Sequence, residues 1–314
     1  MEEATKIIEN VVNNIKSVIM GKDEQIRQMV CCWLAGGHVL IEDVPGTGKT
    51  ILARALARST NVHFKRTQFT PDLLPSDIIG HSIYNQSNQT FKFMPGPLFA
   101  TIFLGDEINR ATPRTQSALL EAMAEGQISI DSKTYKLDDL FFTIATQNPV
   151  DQLGTFQLPE AQMDRFMMKI SMGYPSPEDE IRMVKNQNKE HPLSALQPVE
   201  SHERIAWVKQ QVPKVQIPDE VHFYINSLVN KTRQAPDLKI GASPRATLAL
   251  TRAAQSLALM DGLDYVKPTY VYHLIRPVLA HRLILTPEAQ LTDSTADSIL
   301  DEIIDAIAAP VKSA

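Results

Sequence analysis

Apolar positions near the N-terminus recur at helical spacing. Ile8, Val11, Val12 and Ile15 predict one amphipathic helix, and Ile26, Met29, Val30, Trp33 and Leu34 a second. The period then changes: Val39, Leu40 and Ile41 form a short continuous apolar run that reads as a strand, and the helical spacing resumes at Ile51, Leu52, Ala55 and Leu56. Further strands are predicted at Val62–Phe64, Thr101–Leu104, Phe141–Thr146 and Met167–Met172, with a helix carrying Leu119, Leu120 and Met123 that ends at Gly126. Two stretches alternate about polar turns. Residues 82–85 and 90–93 flank Gln86–Gln89, and residues 127–131 and 133–137 meet at Asp131–Lys133, so each reads as a β-hairpin. Residues 70–77 are too interrupted by proline for a regular helix of any length.

A boundary follows at Pro175-Ser176-Pro177, then a charged helix from Glu178 to Lys189 and a linker at 191–198. Beyond it the pattern is helical: Val221, Tyr224, Ile225, Leu228 and Val229 make one stripe, Val271, Leu274, Ile275, Val278 and Leu279 another, and Leu300, Ile303, Ile304 and Ile307 a third. The expected organisation is an α/β domain over 1–187 and an all-helical domain over 188–314.

The turn between the Val39–Ile41 strand and the next helix carries the first chemistry. Pro45, Gly46, Thr47, Gly48, Lys49, Thr50 and Ile51 give the strand, loop, helix setting of a P-loop. Backbone N–H groups of a tight loop and a helix N-terminus converge on phosphate there, the lysine reaches the β- and γ-phosphates, and the threonine hydroxyl ligates Mg²⁺. Asp43 stands where the first glycine of the G-x-x-x-x-G-K-[ST] pattern belongs.

Downstream, the strand at Thr101–Leu104 delivers Asp106 and Glu107 at its carboxyl end, where open parallel sheets bind ligands. This is a Walker B arrangement, with Asp106 holding Mg²⁺ and Glu107 orienting the attacking water. Asn148 closes the next strand, where it either bonds the γ-phosphate and water or initiates an Asn-Pro turn. Arg165 ends a short helix and is either a surface arginine or a finger reaching a neighbouring subunit's γ-phosphate. Val18, Ile19, Met20 and Gly21 either stack on a purine base or form a plain interhelix turn. Ser243-Pro244 is an N-cap with proline at the first helical position, which puts Arg245 in a first helical turn, where a cation opposes the helix dipole and an anion would relieve it. His281 reads as a hydrogen-bonded packing residue.

Taken together, Val18–Gly21, Asp43–Thr50, Arg66–Asp77, Asp106–Ala111, Thr146–Pro149 and Leu158–Phe166 resemble the MoxR family of AAA+ ATPases, over nearly the whole chain. The resemblance implies an AAA+ P-loop NTPase core of αβα layers with a parallel sheet, followed by a helical lid. It implies ATP and Mg²⁺ as ligands, Asn148 as sensor 1, Arg165 as a trans-acting arginine finger, and Arg245, within Gly241–Ala246, as sensor 2. The hairpins would be the helix-2 insert and the pre-sensor hairpin of the clade that includes magnesium chelatase subunits. A homo-oligomeric ring, by resemblance a hexamer, would spend ATP on remodelling partner proteins with von Willebrand factor A domains. Gly105 departs from the family, where alanine is more usual just before the acids.

Composition narrows the alternatives. With 314 residues, 43% of them apolar, and a net charge of −5 without a block of like charge, the chain has material for a large core and no broad nucleic-acid surface. Cys31 and Cys32 are the only cysteines, adjacent, and suited to helix packing rather than a disulfide or zinc. Residues 1–6 offer no basic, apolar leader and no run of about 18 apolar residues occurs, so the cytoplasm is the expected compartment. Three rivals stand beside the ring ATPase: a nucleotide-gated scaffold with little turnover, a metal-chelatase-type motor subunit and a DNA-dependent motor. Acidic charge disfavours the last.

Overall fold

The computed structural model describes residues 1–44, 46–131, 133–149, 154–181 and 192–310. In chain order its elements are α1 (Glu2–Lys16), α2 (Asp23–Leu34), β1 (Val39–Glu42), α3 (Lys49–Ser59), β2 (Phe64–Gln68), α4 (Pro75–Ile79), β3 (Gly80–Asn85), β4 (Thr90–Pro95), β5 (Ile102–Asp106), α5 (Pro113–Glu125), β6 (Gln127–Ile130), β7 (Lys133–Lys136), β8 (Phe142–Gln147), α6 (Glu160–Met163) and β9 (Met168–Ile170). There follow α7 (Pro192–Ala195), α8 (His202–Gln211), α9 (Asp219–Gln234), β10 (Leu238–Ile240), α10 (Pro244–Met260), α11 (Pro268–Leu279), β11 (Ile284–Leu285), α12 (Pro287–Leu291) and α13 (Ala296–Ala306).

The main sheet has five parallel strands in the order β2-β5-β8-β1-β9. Its interior strands are buried on both faces, which is why β1, β5 and β8 read as continuous apolar runs rather than alternating ones. Alternation survives as a choice between two cores. Val39, Ile41, Ile102, Leu104, Phe142 and Ile144 face a cluster shared with α1, α2, α3 and the C-terminal helices. Leu40, Phe103 and Ala145 face a second cluster with Phe69, α5 and Phe166. The first cluster ties the N-terminal helices to the lid: Cys31 Sγ lies 3.3 Å from the carbonyl of Ala253, and Ser256 Oγ donates to the carbonyl of Cys31 (2.9 Å). Both cysteines are buried and unpaired, and burial pushes the Cys31 thiol up to about 12.

Both predicted hairpins are present, β3 with β4 and β6 with β7, and Phe93 stacks on Tyr135 (centroids 4.3 Å apart) to join them. Ser132, at the second tip, lies outside the described residues. Two strands differ from expectation. The Val62–Phe64 strand instead runs Phe64–Gln68: as the sheet's edge it needs only backbone pairing with β5, so its polar residues tolerate exposure. The Met167–Met172 strand is limited to Met168–Ile170. Gly105 is explained by packing, since a Cβ there would lie 3.1 Å from Ile108 Cγ2 and 3.2 Å from Phe69 Cε2.

The C-terminal part is helical apart from an antiparallel ribbon, β10 with β11. Most of the predicted helix Glu178–Lys189, the boundary at 187–188 and His191 of the linker lie outside the described residues. The remainder of that linker contains the single turn α7. No helix among the described residues is long and apolar enough to cross a membrane.

Candidate nucleotide site and an arginine cavity

Sheet order assembles the site. Because β8 lies between β1 and β5, its carboxyl end sits between the loop after β1 and the acids after β5. A cavity of about 620 Å³ opens there, lined by Asp43, residues 46–51, Arg66 and Gln68 of β2, Asp106, Glu107, Arg110, and Thr146, Gln147 and Asn148. It gathers Gly46, Thr47, Gly48, Lys49, Thr50, Ile51, Asp106, Glu107 and Asn148, nine residues singled out from sequence. Pro45 lies outside the described residues. Val18, Ile19, Met20 and Gly21 do not line the cavity: Val18 and Ile19 pack against the first core cluster, and Gly21 turns at φ +68° against the Asp179 carboxylate.

Gly46 and Gly48 both adopt φ +88°, the left-handed region that favours glycine, with no atom within 4 Å of where a Cβ would be. Gly48 is the N-cap of α3 and offers no side-chain cap, so the first-turn amides face the cavity's mouth for an anion to satisfy. Asp43 needs no positive φ. Its buried carboxylate accepts from the amides of Val44 (2.8 Å) and Gly173 (2.7 Å), tying the loop's start to the chain beyond β9. An aspartate in place of the first glycine is thus a structural brace. Lys49 Nζ donates to the carbonyls of Asp43 (2.8 Å) and Val44 (3.0 Å). Burial lowers its pKa, opposed by the charges of Asp43, Asp106 and Glu107.

The acids are held by partners that the sequence reading did not single out. Thr146 Oγ1 donates to Asp106 Oδ1 (2.5 Å) and accepts from the Glu107 amide (2.8 Å). Arg66 places Nη2 2.7 Å and Nε 3.2 Å from Asp106 Oδ2. Gln68 Nε2 donates to Glu107 Oε2 (2.7 Å), which also lies 3.1 Å from Arg110 Nε. Glu107 itself has φ +55° and ψ +53°, a conformation that costs a non-glycine residue about 1–3 kcal/mol and concentrates at functional sites. Thr50 and Asp106 present hard oxygen donors to one cavity, which fits Mg²⁺, an ion that keeps several waters and leans on substrate phosphates. Among the described residues no group of three His, Cys, Asp or Glu side chains is placed to hold a metal ion.

Arg165 and Arg245 are elsewhere. Both line a second cavity of about 250 Å³ with Gly36, His38, Asp164, Arg252 and Arg282, where the lid meets the core. Arg245, the residue expected as sensor 2, is not among the residues that line the P-loop cavity of its own chain. α10 starts beside α6, and Ser243 Oγ donates to Asp164 Oδ2 (3.1 Å). Arg245 Nη1 lies 3.8 Å from that same oxygen, and Arg165 Nη1 donates to the carbonyl of Leu120 (2.8 Å). Arg282, its side chain 2% exposed, donates Nε to Asp164 Oδ1 (2.7 Å) and Nη2 to the carbonyl of Phe166 (2.8 Å). Burial lowers its pKa, while Asp164 holds the charge in place. His281 Nε2 lies 3.0 Å from that Phe166 carbonyl, the packing role read from sequence, and burial drives its pKa down to about 3.

Some of these missed residues left a faint signal. Arg66 and Gln68 are two apart on a strand and so share a face, and Gln68 pairs in register with Asp106. Thr146 stands two before Asn148. For Asp164 with Arg282, 118 residues apart, no periodicity could have announced the pair.

A phosphate-binding loop on β1, paired acids on β5 and a polar terminus on the strand between them define a P-loop nucleotide-binding ATPase fold with a helical lid. Comparison with known proteins agrees. Residues 38–168 match the ATPase family associated with various cellular activities (AAA), and residues 230–303 the AAA lid domain. The chain is 46% identical to the uncharacterized protein YeaC of Bacillus subtilis (strain 168), over 99% of this chain and 97% of that one. It is 38% identical to the chaperone MoxR1 of Mycobacterium tuberculosis, over 96% of this chain and 82% of the relative. The crystal structure of a presumptive ATPase from Cytophaga hutchinsonii superposes with a TM-score of 0.92 at 37% identity, covering 99% of this chain and 98% of the other. The chain belongs to the MoxR family of AAA+ ATPases.

Proposed function

We propose that this chain hydrolyses ATP to ADP and phosphate within a cytoplasmic homo-oligomeric ring, a hexamer by family likeness, and spends the energy on chaperone-like remodelling of proteins with von Willebrand factor A domains. The observation that carries the reading is the separation of Lys49, Asp106, Glu107 and Asn148 in one cavity from Arg165 and Arg245 in another. That separation supports a division of labour in which one chain binds phosphate and positions water, while Arg165 and Arg245, outside its own P-loop cavity, serve a neighbour.

In this scheme the loop amides and Lys49 bind the β- and γ-phosphates, and Thr50 and Asp106 hold Mg²⁺, which neutralises phosphate charge when bound. Glu107 leaves Gln68 and Arg110 to orient the water and take its proton. The water oxygen bonds to the γ-phosphorus as the bond to the bridging oxygen breaks, and Asn148 bonds both γ-phosphate and water. Arg165 and Arg245 of the adjacent subunit stabilise the charge that develops. The partner class rests on the family alone, and pull-down of von Willebrand factor A domains with an ATP-trapped Glu107→Gln ring tests it.

A second reading, the nucleotide-gated scaffold, draws on the contacts of Gln68 and Arg110 with Glu107, which both occupy the one carboxylate oxygen Oε2. Steady-state ATP and GTP hydrolysis against protein concentration separates the two. Specific activity that rises with concentration, prefers ATP and is lost in Glu107→Gln and Arg165→Ala supports the ring ATPase. Binding without turnover at any concentration sinks it in favour of the scaffold.

A further inference from the structure

Asp164 stands immediately before Arg165, on the core, yet most of its bonds go to the lid. One oxygen, Oδ1, takes Nε of Arg282 at 2.7 Å. The other, Oδ2, takes the hydroxyl of Ser243 at 3.1 Å and faces Nη1 of Arg245 at 3.8 Å. The two arginines differ in how they are held. The Arg282 side chain is 2% exposed and also bonded to the Phe166 carbonyl, whereas the Arg245 side chain is 57% exposed and lies beyond the distance of a good hydrogen bond. One contact is a fixed clamp and the other a loose tether.

The cavity around them is lined by four arginines and one carboxylate in a chain whose net charge is negative. A single carboxylate spread over two guanidinium groups leaves the cavity short of negative charge, so an entering anion is favoured and competes with Asp164 for the more exposed arginine.

From this we infer that Asp164 is a positioning residue that couples Arg165 to Arg245. Through Arg282 it ties the finger segment to the turn after α11, and through Ser243 to the start of α10, so that these become one body. Through Oδ2 it parks Arg245 until a neighbouring subunit's nucleotide phosphate takes that arginine over. The two arginines are then delivered together rather than independently. The inference rests on the ring reading above and adds to it the residue that makes two arginines, on core and lid, act as a unit.

The test is a double-mutant cycle on the full-length chain. Turnover of Mg·ATP is measured against protein concentration for wild type, Asp164→Asn, Arg245→Ala and the double variant, with Asp164→Glu as the conservative rescue. Amide exchange over residues 160–168 and 241–250 is followed in nucleotide-free protein. Asp164→Asn is expected to lower kcat about tenfold with KM changed less than twofold, because the chain's own P-loop cavity is untouched. Arg245→Ala on top should cost less than a further twofold, Asp164→Glu should recover most of kcat, and exchange in both segments should quicken together in Asp164→Asn. Losses that multiply in the double variant, or an Asp164→Asn protein with wild-type kcat, overturn the coupling. So does unchanged exchange over 241–250, which needs no turnover and stays informative if the variant is slow. If instead wild-type turnover shows no dependence on concentration or on Arg165 while exchange still quickens, the ring reading has failed and the clamp has not.

Discussion

The P-loop cavity and the arginine cavity of this protein are built by opposite means. The P-loop cavity belongs to the sheet: its residues come in short contiguous runs at the carboxyl ends of adjacent parallel strands, fixed by strand register. The arginine cavity belongs to a junction, assembled from α6, the start of α10 and the turn after α11, and its keystone is a pair 118 residues apart in sequence. The first is a site that local geometry makes; the second exists only while the lid is docked. Disturbing one should leave the other standing, and that separability is open to experiment.

The largest effect is expected inside the P-loop cavity. Glu107→Gln should cut turnover by about 10²–10⁴-fold, as loss of a general base does, while nucleotide affinity stays within threefold and the melting temperature is unchanged or raised. A comparable loss of binding, read by titration of a fluorescent ATP analogue, would mean the acid holds nucleotide rather than water.

Arg282→Ala should do the reverse. Removing the buried guanidinium strips Asp164 Oδ1 and the Phe166 carbonyl of their donor, at a cost of about 3 kcal/mol measured by urea unfolding, while nucleotide affinity at the P-loop changes little. Equal losses in stability and nucleotide affinity would show that the two cavities are one unit.

Acid should find the junction first. His38, which lines the arginine cavity, accepts the Thr143 amide at Nδ1 (3.0 Å) and has Nε2 3.1 Å from the Met123 carbonyl, an arrangement that requires the neutral ring. Burial lowers its pKa to about 4, and that of His281 to about 3. Each therefore binds protons in the unfolded chain that it refuses in the folded one. The stability they confer is complete above pH about 6.5 and declines as pH falls toward 4, by on the order of 3 kcal/mol for His38. Urea midpoints at pH 7.5, 6 and 5 should fall in wild type and fall about half as steeply in His38→Gln, where His281 still contributes. An identical slope in the variant would assign the acid sensitivity elsewhere.

The smallest effect concerns Arg66. Its guanidinium occupies Asp106 Oδ2 and is 41% exposed, so the pair is worth only about 0.5–1 kcal/mol. Arg66→Ala should lower the Mg²⁺ concentration for half-maximal nucleotide binding by about twofold to fivefold. An increase would identify Arg66 as a phosphate ligand rather than a competitor for the metal's carboxylate.

Sequence patterning determined much of the first cavity because its information is local. The run Val39–Ile41 must be a strand, Gly46 and Gly48 must turn, Lys49 and Thr50 must open a helix, and Asp106, Glu107 and Asn148 must sit at strand ends, each for reasons within a few residues. Even the hairpins declared themselves through alternation. Tertiary structure decided what local rules leave free. It set the insertion of β8 between β1 and β5, which brings Thr146 onto Asp106. It chose the edge position of β2, which turns Arg66 and Gln68 onto the acids. It also swung α10 away from its own P-loop, carrying Arg245 to Asp164 and Arg282. Those outcomes depend on which faces of distant segments bury together, a choice made by the two hydrophobic cores as wholes. A motif reports a conformation, whereas an ion pair between a short helix and a lid turn reports a docking, and only the folded chain contains that.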